Sequence, residues 1–157
     1  MIKTLNNKLT IDKTFAAKQN IAIIRTDYHD EWNSNLVKYC TETLLANNVP
    51  QNNITIVSVP GSWEIPLMAQ KLAKSGNYDA IVTFGIIIKG DTHHFDMIAN
   101  EVARALMQLS LDYSIPIALE ILAVYKTEDA VKRAGDNEYN KGIEGATTIL
   151  SMLQKLS

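Results

Sequence analysis

The sequence lacks several features that would assign it to a familiar class of protein. A single cysteine, Cys40, excludes a disulfide within the chain and leaves no second thiolate for a zinc or dithiol site. No stretch approaches the ~20 apolar residues that span a bilayer, and the first residues, MIKTLNNKLTID, have no long apolar core of the kind a signal peptide needs. We therefore expect a reducing, intracellular and cytoplasmic setting.

Charge and short motifs exclude further classes. The net charge is −2, and no cluster of Lys and Arg would attract nucleic acid or anionic lipid. The motifs GxGxxG, GxxxxGK[ST], GxSxG and CxxC are absent, which removes the common dinucleotide, P-loop, serine hydrolase and thiol-redox interpretations. The 157 residues, 46% of them apolar, form a chain of single-domain size with room for a real core.

Strand and helix patterns alternate four times after residue 20. Short β-branched runs predict strands over 21–26, 54–59, 80–85 (continued by 86–88) and 115–124. Helical spacing predicts helices over 31–47, 63–75, 95–113, 127–134 and 140–155. Crossovers of this length predict a four-stranded parallel sheet covered on both faces, a three-layer α/β/α sandwich. Residues 1–20 are polar and weakly patterned, so we expect a separate N-terminal segment followed by one domain over 21–157.

Chemically rich segments follow the predicted strands, where parallel sheets bind their ligands. Tyr28, after the first strand, has a ring that can stack on a planar heterocycle or pack on the next helix. Ser62, after the second, can cap the helix that follows. Glu64 either complements the dipole of that helix or accepts hydrogen bonds from ligand hydroxyls.

The third strand leads into a loop, Lys89 to Thr92, that has two interpretations. Its backbone N–H groups and the Thr92 hydroxyl suit a phosphate, whereas Asp91 opposes one if its carboxylate points at the anion; the alternative is a solvated loop. Further along the chain, Arg133 and Lys141 are either cations for a phosphate or solvated helix charges. Lys89 is a further candidate cation.

Two adjacent histidines, His93 and His94, follow the same loop. They are not spaced as ligands on one helix face and no cysteine lies nearby, so zinc is disfavoured. One of them can act as a proton shuttle near pH 7, and the alternative is a structural histidine. Cys40 follows Leu36 at helical spacing, which predicts a buried, inert thiol rather than a nucleophile.

Three motifs carry a resemblance to a known family: VPGSWEIP (59–66), AIVTFGIIIKGDTHHFD (80–96) and KRAGDNEYNKG (132–142). In this order and spacing they resemble the lumazine synthases, whose pattern is roughly VPGAFEIP, ALGAVIRG-T-HF, ERAG and NKG. The similarity runs from about Ile21 to Leu153.

The resemblance implies a flavodoxin-like fold and a condensation of 5-amino-6-(D-ribitylamino)uracil with 3,4-dihydroxy-2-butanone 4-phosphate to 6,7-dimethyl-8-ribityllumazine. An amine attacks a ketone to give an imine, phosphate leaves and the second amine closes the ring, with no redox cofactor and no metal. His94 matches the catalytic proton donor and acceptor, whereas His93 falls on a variable position. The implied phosphate residues are Asp91, Thr92 and Arg133, and the implied pyrimidine and ribityl contacts are Tyr28, Ser62, Trp63, Glu64, Ile86, Ile87, Ile88 and Leu119.

Three residues depart from the family pattern. Leu119 replaces a phenylalanine that a neighbouring subunit contributes, His29 stands where asparagine is common, and Asp91 stands where a small residue is usual. Losing the aromatic ring at position 119 removes a stacking contact of roughly 0.5–1.5 kcal/mol. These departures keep open a divergent paralogue that binds flavin or lumazine, or forms a shell, without turnover.

The resemblance also implies an assembly. The family forms homopentamers with active sites between adjacent subunits, and often icosahedral shells of sixty subunits. A third interpretation of this chain is a mainly structural shell component that encloses a partner such as riboflavin synthase. Its N-terminal segment pairs with a neighbour's sheet, which would explain the weak pattern of residues 1–20 as a strand donated across an interface.

Overall fold

Four strands form one sheet in a computed structural model of the chain, which describes residues 10–157. The strands are β1 Ile21–Thr26, β2 Ile54–Val59, β3 Ala80–Ile88 and β4 Ile117–Val124. Every pairing is parallel, in the order β2-β1-β3-β4, which confirms the predicted sheet and, within residues 10–157, matches the first four strands of the flavodoxin-like order. β4 begins two residues later than predicted, after Pro116, which has no N–H to donate to the ladder.

Helices cover both faces of this sheet. They are α1 Lys13–Ala16, α2 Asp30–Ala46, α3 Ile65–Ser75, α4 His94–Tyr113, α5 Thr127–Ala134 and α6 Lys141–Leu156. One core lies between the sheet and α2, α5 and α6, and a second lies between the sheet and α3 and α4. The predicted three-layer sandwich is therefore confirmed. No helix within residues 10–157 has both the length and the apolar character to cross a bilayer.

The strand β1 shows why the central strands are continuous apolar runs. Ile21 and Ile23 belong to the first core, whereas Ala22 and Ile24 belong to the second, and all four are fully buried. A strand covered on both faces has no solvent side, so its sequence does not alternate.

The N-terminal segment contains a helix that its sequence pattern did not predict. The Asp12 carboxylate caps α1, accepting hydrogen bonds from the N–H groups of Thr14 (2.8 Å) and Phe15 (3.2 Å), and Ala16 is buried in the first core. A single helical turn is too short to show a periodicity. Residues 1–9, and with them the predicted pairing to a neighbour's sheet, lie outside the described residues.

The path of the chain creates a crevice between β1 and β3. The chain leaves β1 for the edge strand β2 and then passes back across β1 to β3, so β1 leads into α2 on one face and β3 leads into α4 on the other. Where the helices that follow two adjacent strands leave the sheet on opposite faces, the carboxyl ends of the two strands are left uncovered. This topology determines where a ligand can bind.

Candidate active site

A cleft of about 700 Å³ opens at this crevice. Its volume lies in the range of small-molecule sites. Three of the segments that follow predicted strands meet there, and the lining residues are Tyr28, His29, Gly61, Ser62, Trp63, Glu64, Ile86, Ile87, Ile88, His94, Met97 and Ile98.

The first wall of the cleft is the turn that carries Tyr28 and His29. The β1–β2 ladder extends beyond both strands, because the Asp27 N–H donates to the Val59 carbonyl (2.9 Å) and the Tyr28 N–H to the Pro60 carbonyl (3.3 Å). The Tyr28 ring is 73% exposed, so it is not packed into the following helix as the alternative interpretation proposed. Its face is available for stacking on a planar ligand.

The second wall is a 3₁₀ turn over Ser62–Glu64 that precedes α3. Because α3 begins at Ile65 rather than at the predicted residue 63, Ser62 lies inside this turn and does not cap the helix. Ser62 is buried against β3, where a Cβ on Gly85 would lie 2.6 Å from its Oγ, so any larger residue at position 85 would have to displace the Ser62 hydroxyl. The Glu64 Oε2 accepts a hydrogen bond from the Gly61 N–H (3.0 Å), and its carboxylate is exposed at the cleft.

The floor and third wall are the end of β3 and the first turns of α4. Ile86 and Ile87 are buried and supply an apolar floor, whereas His94 is exposed at the start of the helix. Met97 and Ile98 were not selected from the sequence. They follow His94 by three and four positions, and this helical spacing could have identified them.

The adjacent histidines have different surroundings. His94 lines the cleft, whereas the Nδ1 of His93 lies 3.5 Å from Asp96 Oδ2 on the exposed side of α4. In the described part of the chain, no three His, Cys, Asp or Glu side chains are grouped so that they could hold a metal ion.

The predicted phosphate-loop residues lie beside the cleft rather than in its lining. The Thr92 Oγ1 accepts a hydrogen bond from the His94 N–H (3.4 Å), and Asp91 is exposed in the same loop. The Lys89 Nζ lies over the rings of Phe95 (5.7 Å) and Tyr125 (5.3 Å), so its cation is held by two aromatic faces.

Three other predicted residues are also absent from this lining. Arg133 on α5 donates from Nη1 to the Asp129 carbonyl (3.0 Å), and the Lys141 Nζ is 2.6 Å from Glu144 Oε2. Leu119 is 48% exposed on the edge strand β4. Within one chain, these side chains are not brought together with His94.

The strongly perturbed ionisable groups, Glu120 on β4 and Cys40 on α2, do not line the cleft. Burial, together with the charge of Glu144 and against the opposing charge of Lys141, raises the pKa of Glu120 to about 8. Burial also raises the pKa of the Cys40 thiol well above its ordinary value. Cys40 is fully buried in α2, in agreement with the predicted inert thiol.

Comparison with known protein families assigns the chain. The model of the 6,7-dimethyl-8-ribityllumazine synthase family matches residues 18–157, nearly the whole sequence. The match covers all four strands, the 3₁₀ turn and every residue that lines the cleft. The chain therefore belongs to the 6,7-dimethyl-8-ribityllumazine synthase family, and this membership implies the condensation that forms the lumazine in riboflavin biosynthesis.

Proposed function

We propose that the condensation takes place in the cleft between β1 and β3, with His94 as the group that moves protons. The observation that carries this proposal is the composition of the cleft. It combines an exposed imidazole with exposed aromatic rings and an apolar floor, at the edge of the sheet where ligands bind.

The reaction needs proton transfers at several steps. The carbinolamine must lose its hydroxyl as water to give the imine. Removal of a proton from the neighbouring carbon then expels phosphate from the next carbon, and ring closure by the second amine releases water again. An exposed imidazole beside the bound substrates can donate and accept these protons near neutral pH. Of the two adjacent histidines, only His94 lines the cleft, and it is our catalytic residue.

The substrates are assigned by the chemistry of the walls. The ring of Tyr28 suits stacking on the pyrimidine, with Trp63 on the neighbouring turn as a second exposed aromatic side chain. The exposed carboxylate of Glu64 and the nearby Ser62 suit the hydroxyls of the ribityl chain. The isoleucines at the end of β3, Ile86–Ile88, flank the ring without competing hydrogen bonds.

We further propose that a second copy of the chain completes the site, as in a homopentamer. Among residues 10–157, the cleft lining contains one carboxylate, Glu64, and two imidazoles but no Lys or Arg, whereas one substrate carries a phosphate. Arg133 and Leu119 lie away from their own chain's cleft, and Leu119 presents an exposed apolar side chain on an edge strand. A neighbour's Arg133 beside Thr92 and Asp91 would supply the missing charge.

An activity assay tests the reaction directly. Wild-type protein supplied with both substrates should form the fluorescent lumazine faster than the uncatalysed background. A rate equal to the background would refute the proposed function for this chain.

Mixed assemblies test the shared site. The His94→Ala and Arg133→Ala variants should each be impaired, and Arg133→Ala should chiefly raise the KM for the phosphate substrate. When they are coexpressed, some clefts receive His94 from one chain and Arg133 from its neighbour, so activity should rise above that of either variant alone. Activity equal to the average of the two variants would show that both residues act within one chain.

The exposed pair Tyr28 and Trp63 also favours a second candidate function, the binding of flavin or lumazine without turnover. Two exposed aromatic side chains on neighbouring walls offer stacking area for a flat tricyclic ring, and Leu119 offers no stacking. Purified protein that is yellow but forms no lumazine would favour this candidate, and colourless, active protein would exclude it. The shell of sixty subunits, a riboflavin synthase partner, the donated N-terminal strand and a cytoplasmic setting stay predictions.

A further inference from the structure

Asn33, in the first turns of α2, is fully buried beneath the turn that carries Tyr28 and His29. Its Nδ2 lies within hydrogen-bonding distance of three acceptors. These are the Tyr28 carbonyl (2.8 Å), the Thr26 hydroxyl (3.0 Å) and the His29 carbonyl (3.2 Å). One side chain therefore connects the end of β1 to both residues of the cleft wall.

The turn that Asn33 binds has an unusual backbone. His29 has φ 56° and ψ 49°, the left-handed conformation that residues with a side chain seldom adopt. Such a conformation persists only where the surrounding contacts hold it. The His29 carbonyl accepts hydrogen bonds from both the N–H (3.1 Å) and the Nδ2 of Asn33, and the Thr26 hydroxyl donates to the Tyr28 carbonyl (3.2 Å).

The oxygen of the same amide has no partner. Asn33 Oδ1 is buried and accepts no hydrogen bond within the described residues. The two carbonyls at Nδ2 fix the orientation of the amide, because a flipped amide would place its oxygen against two carbonyl oxygens, which cannot donate. A buried acceptor without a partner is unfavourable, so the amide keeps an orientation that serves the turn rather than its own hydrogen bonding.

We propose that Asn33 is a positioning residue that holds Tyr28 and His29 at the cleft. It does not line the cleft itself. It acts through the Tyr28 ring, and in this respect the inference rests on the proposed function, in which that ring stacks on the pyrimidine substrate. The hydrogen bonds from Asn33 to the Tyr28 and His29 carbonyls are observed in the structure and do not depend on the proposed function.

The decisive variant is Asn33→Asp, which keeps the size of the side chain and removes the donor group. We expect the KM for the pyrimidine substrate to rise roughly 3- to 10-fold, the factor that the loss of one aromatic stacking contact represents. The KM for the phosphate substrate should stay unchanged. Asn33→Ser, which retains one hydroxyl donor, should give a smaller rise and serves if Asn33→Asp does not fold.

Two control variants on the same helix separate positioning from general stability. Thr41→Val removes a hydroxyl that is also buried without a partner, and Leu44→Ala removes core volume far from the cleft. Leu44→Ala should lower the melting temperature at least as much as Asn33→Ser and leave both KM values unchanged. Equal effects of Asn33→Ser and Leu44→Ala on the KM for the pyrimidine substrate would overturn the inference.

Hydrogen exchange gives an outcome that does not depend on turnover. Asn33→Ser should speed exchange of the Asp27 and Tyr28 amides, which bond to the β2 end, and Leu44→Ala should not. Unchanged exchange there would overturn the inference even in an active enzyme. Wild-type protein that forms no lumazine would instead refute the proposed function and leave the exchange result standing.

Discussion

Ionisable side chains are exposed to solvent in the cleft but largely buried in a second group of charged residues behind β4. In the cleft, Glu64 and His94 are exposed to solvent. Behind β4, Glu120 is only 9% exposed, and the ion pair of Lys141 and Glu144 is largely covered. We call these three residues the β4 cluster. Gly145 makes room for it, because a Cβ at that position would lie 3.1 Å from Glu120 Cγ.

In this chain, a group with a strongly perturbed pKa lies away from the cleft that we propose as the active site. Strongly shifted groups are often candidates for function, yet here burial raises the pKa of Glu120 to about 8 on the face of the sheet that packs against α6. The cleft is assigned by topology and composition instead. The following predictions test whether substitutions in the cleft change activity whereas substitutions in the β4 cluster change stability.

His94→Gln should have the largest effect. Glutamine keeps a polar side chain at the start of α4 but cannot exchange protons near neutral pH, so turnover should fall roughly 10²- to 10⁴-fold, the usual contribution of a general acid or base. Steady-state formation of the lumazine measures this loss. His93→Gln is the matched control and should retain turnover. A similar loss of turnover in His94→Gln and His93→Gln would contradict the assignment of the chemistry to the cleft.

Glu120→Gln should have the next largest effect, on stability rather than turnover. The folded chain keeps Glu120 protonated up to about pH 8, whereas the unfolded chain releases this proton near its ordinary pKa of 4.5. The free energy of unfolding therefore falls as the pH rises between these values, by roughly 3–5 kcal/mol in total, and this contribution is constant above pH 8. Glutamine has no such proton and removes this part of the pH dependence.

Urea unfolding at pH 5, 7 and 9 measures that difference. The wild-type curve should decline with pH, and the Glu120→Gln curve should be flatter. Glu101→Gln provides a control, because Glu101 is an exposed carboxylate on α4 that pairs with Arg104. A Glu120→Gln variant that declines as steeply as the wild type would show that Glu120 is charged in the folded chain.

The sequence predicted the strands and the segments after them that line the cleft, for a physical reason. Strands such as β1 and β3 are buried on both faces, so their apolar runs are unambiguous, and polar residues directly after them mark the carboxyl edge. The positions of Arg133 and Leu119 relative to a cleft could not be predicted in the same way. Sequence periodicity does not indicate whether a side chain contributes to the site of its own chain or to that of a neighbouring subunit.

The sequence position of Asn33 contains a signal of its structural role. It lies three, seven and eleven positions before Leu36, Cys40 and Leu44, all of which are buried on the same face of α2. This spacing places an asparagine among core residues, whereas Asn35 lies off that face. A polar residue in a buried register indicates that its side chain has specific backbone partners, and it directs attention to the turn before the helix.

Tyr28→Leu should have a smaller effect than His94→Gln and should act on binding. Leucine keeps an apolar contact and loses stacking, so the KM for the pyrimidine substrate should rise roughly 2- to 10-fold while that for the phosphate substrate stays the same. Tyr125→Leu is a control, because this exposed tyrosine packs on Phe95 outside the cleft lining. An unchanged KM in Tyr28→Leu would remove Tyr28 from the proposed pyrimidine site.

Lys141→Met should have the smallest effect, and it tests whether the β4 cluster is distinct from the active site. It removes the cation that lowers the pKa of Glu120, so that pKa should rise further and the decline in stability should extend to higher pH. The lost pair with Glu144 should cost about 1 kcal/mol at neutral pH, the upper end for ion pairs that are partly exposed. Urea unfolding of Lys141→Met, with and without Glu120→Gln, measures the energetic coupling between Lys141 and Glu120.

Lys141 was also a candidate phosphate cation, so the KM of Lys141→Met for the phosphate substrate should be measured as well. A KM that rises as much as in Arg133→Ala would assign Lys141 to a neighbour's cleft, and the β4 cluster would then be part of the active site.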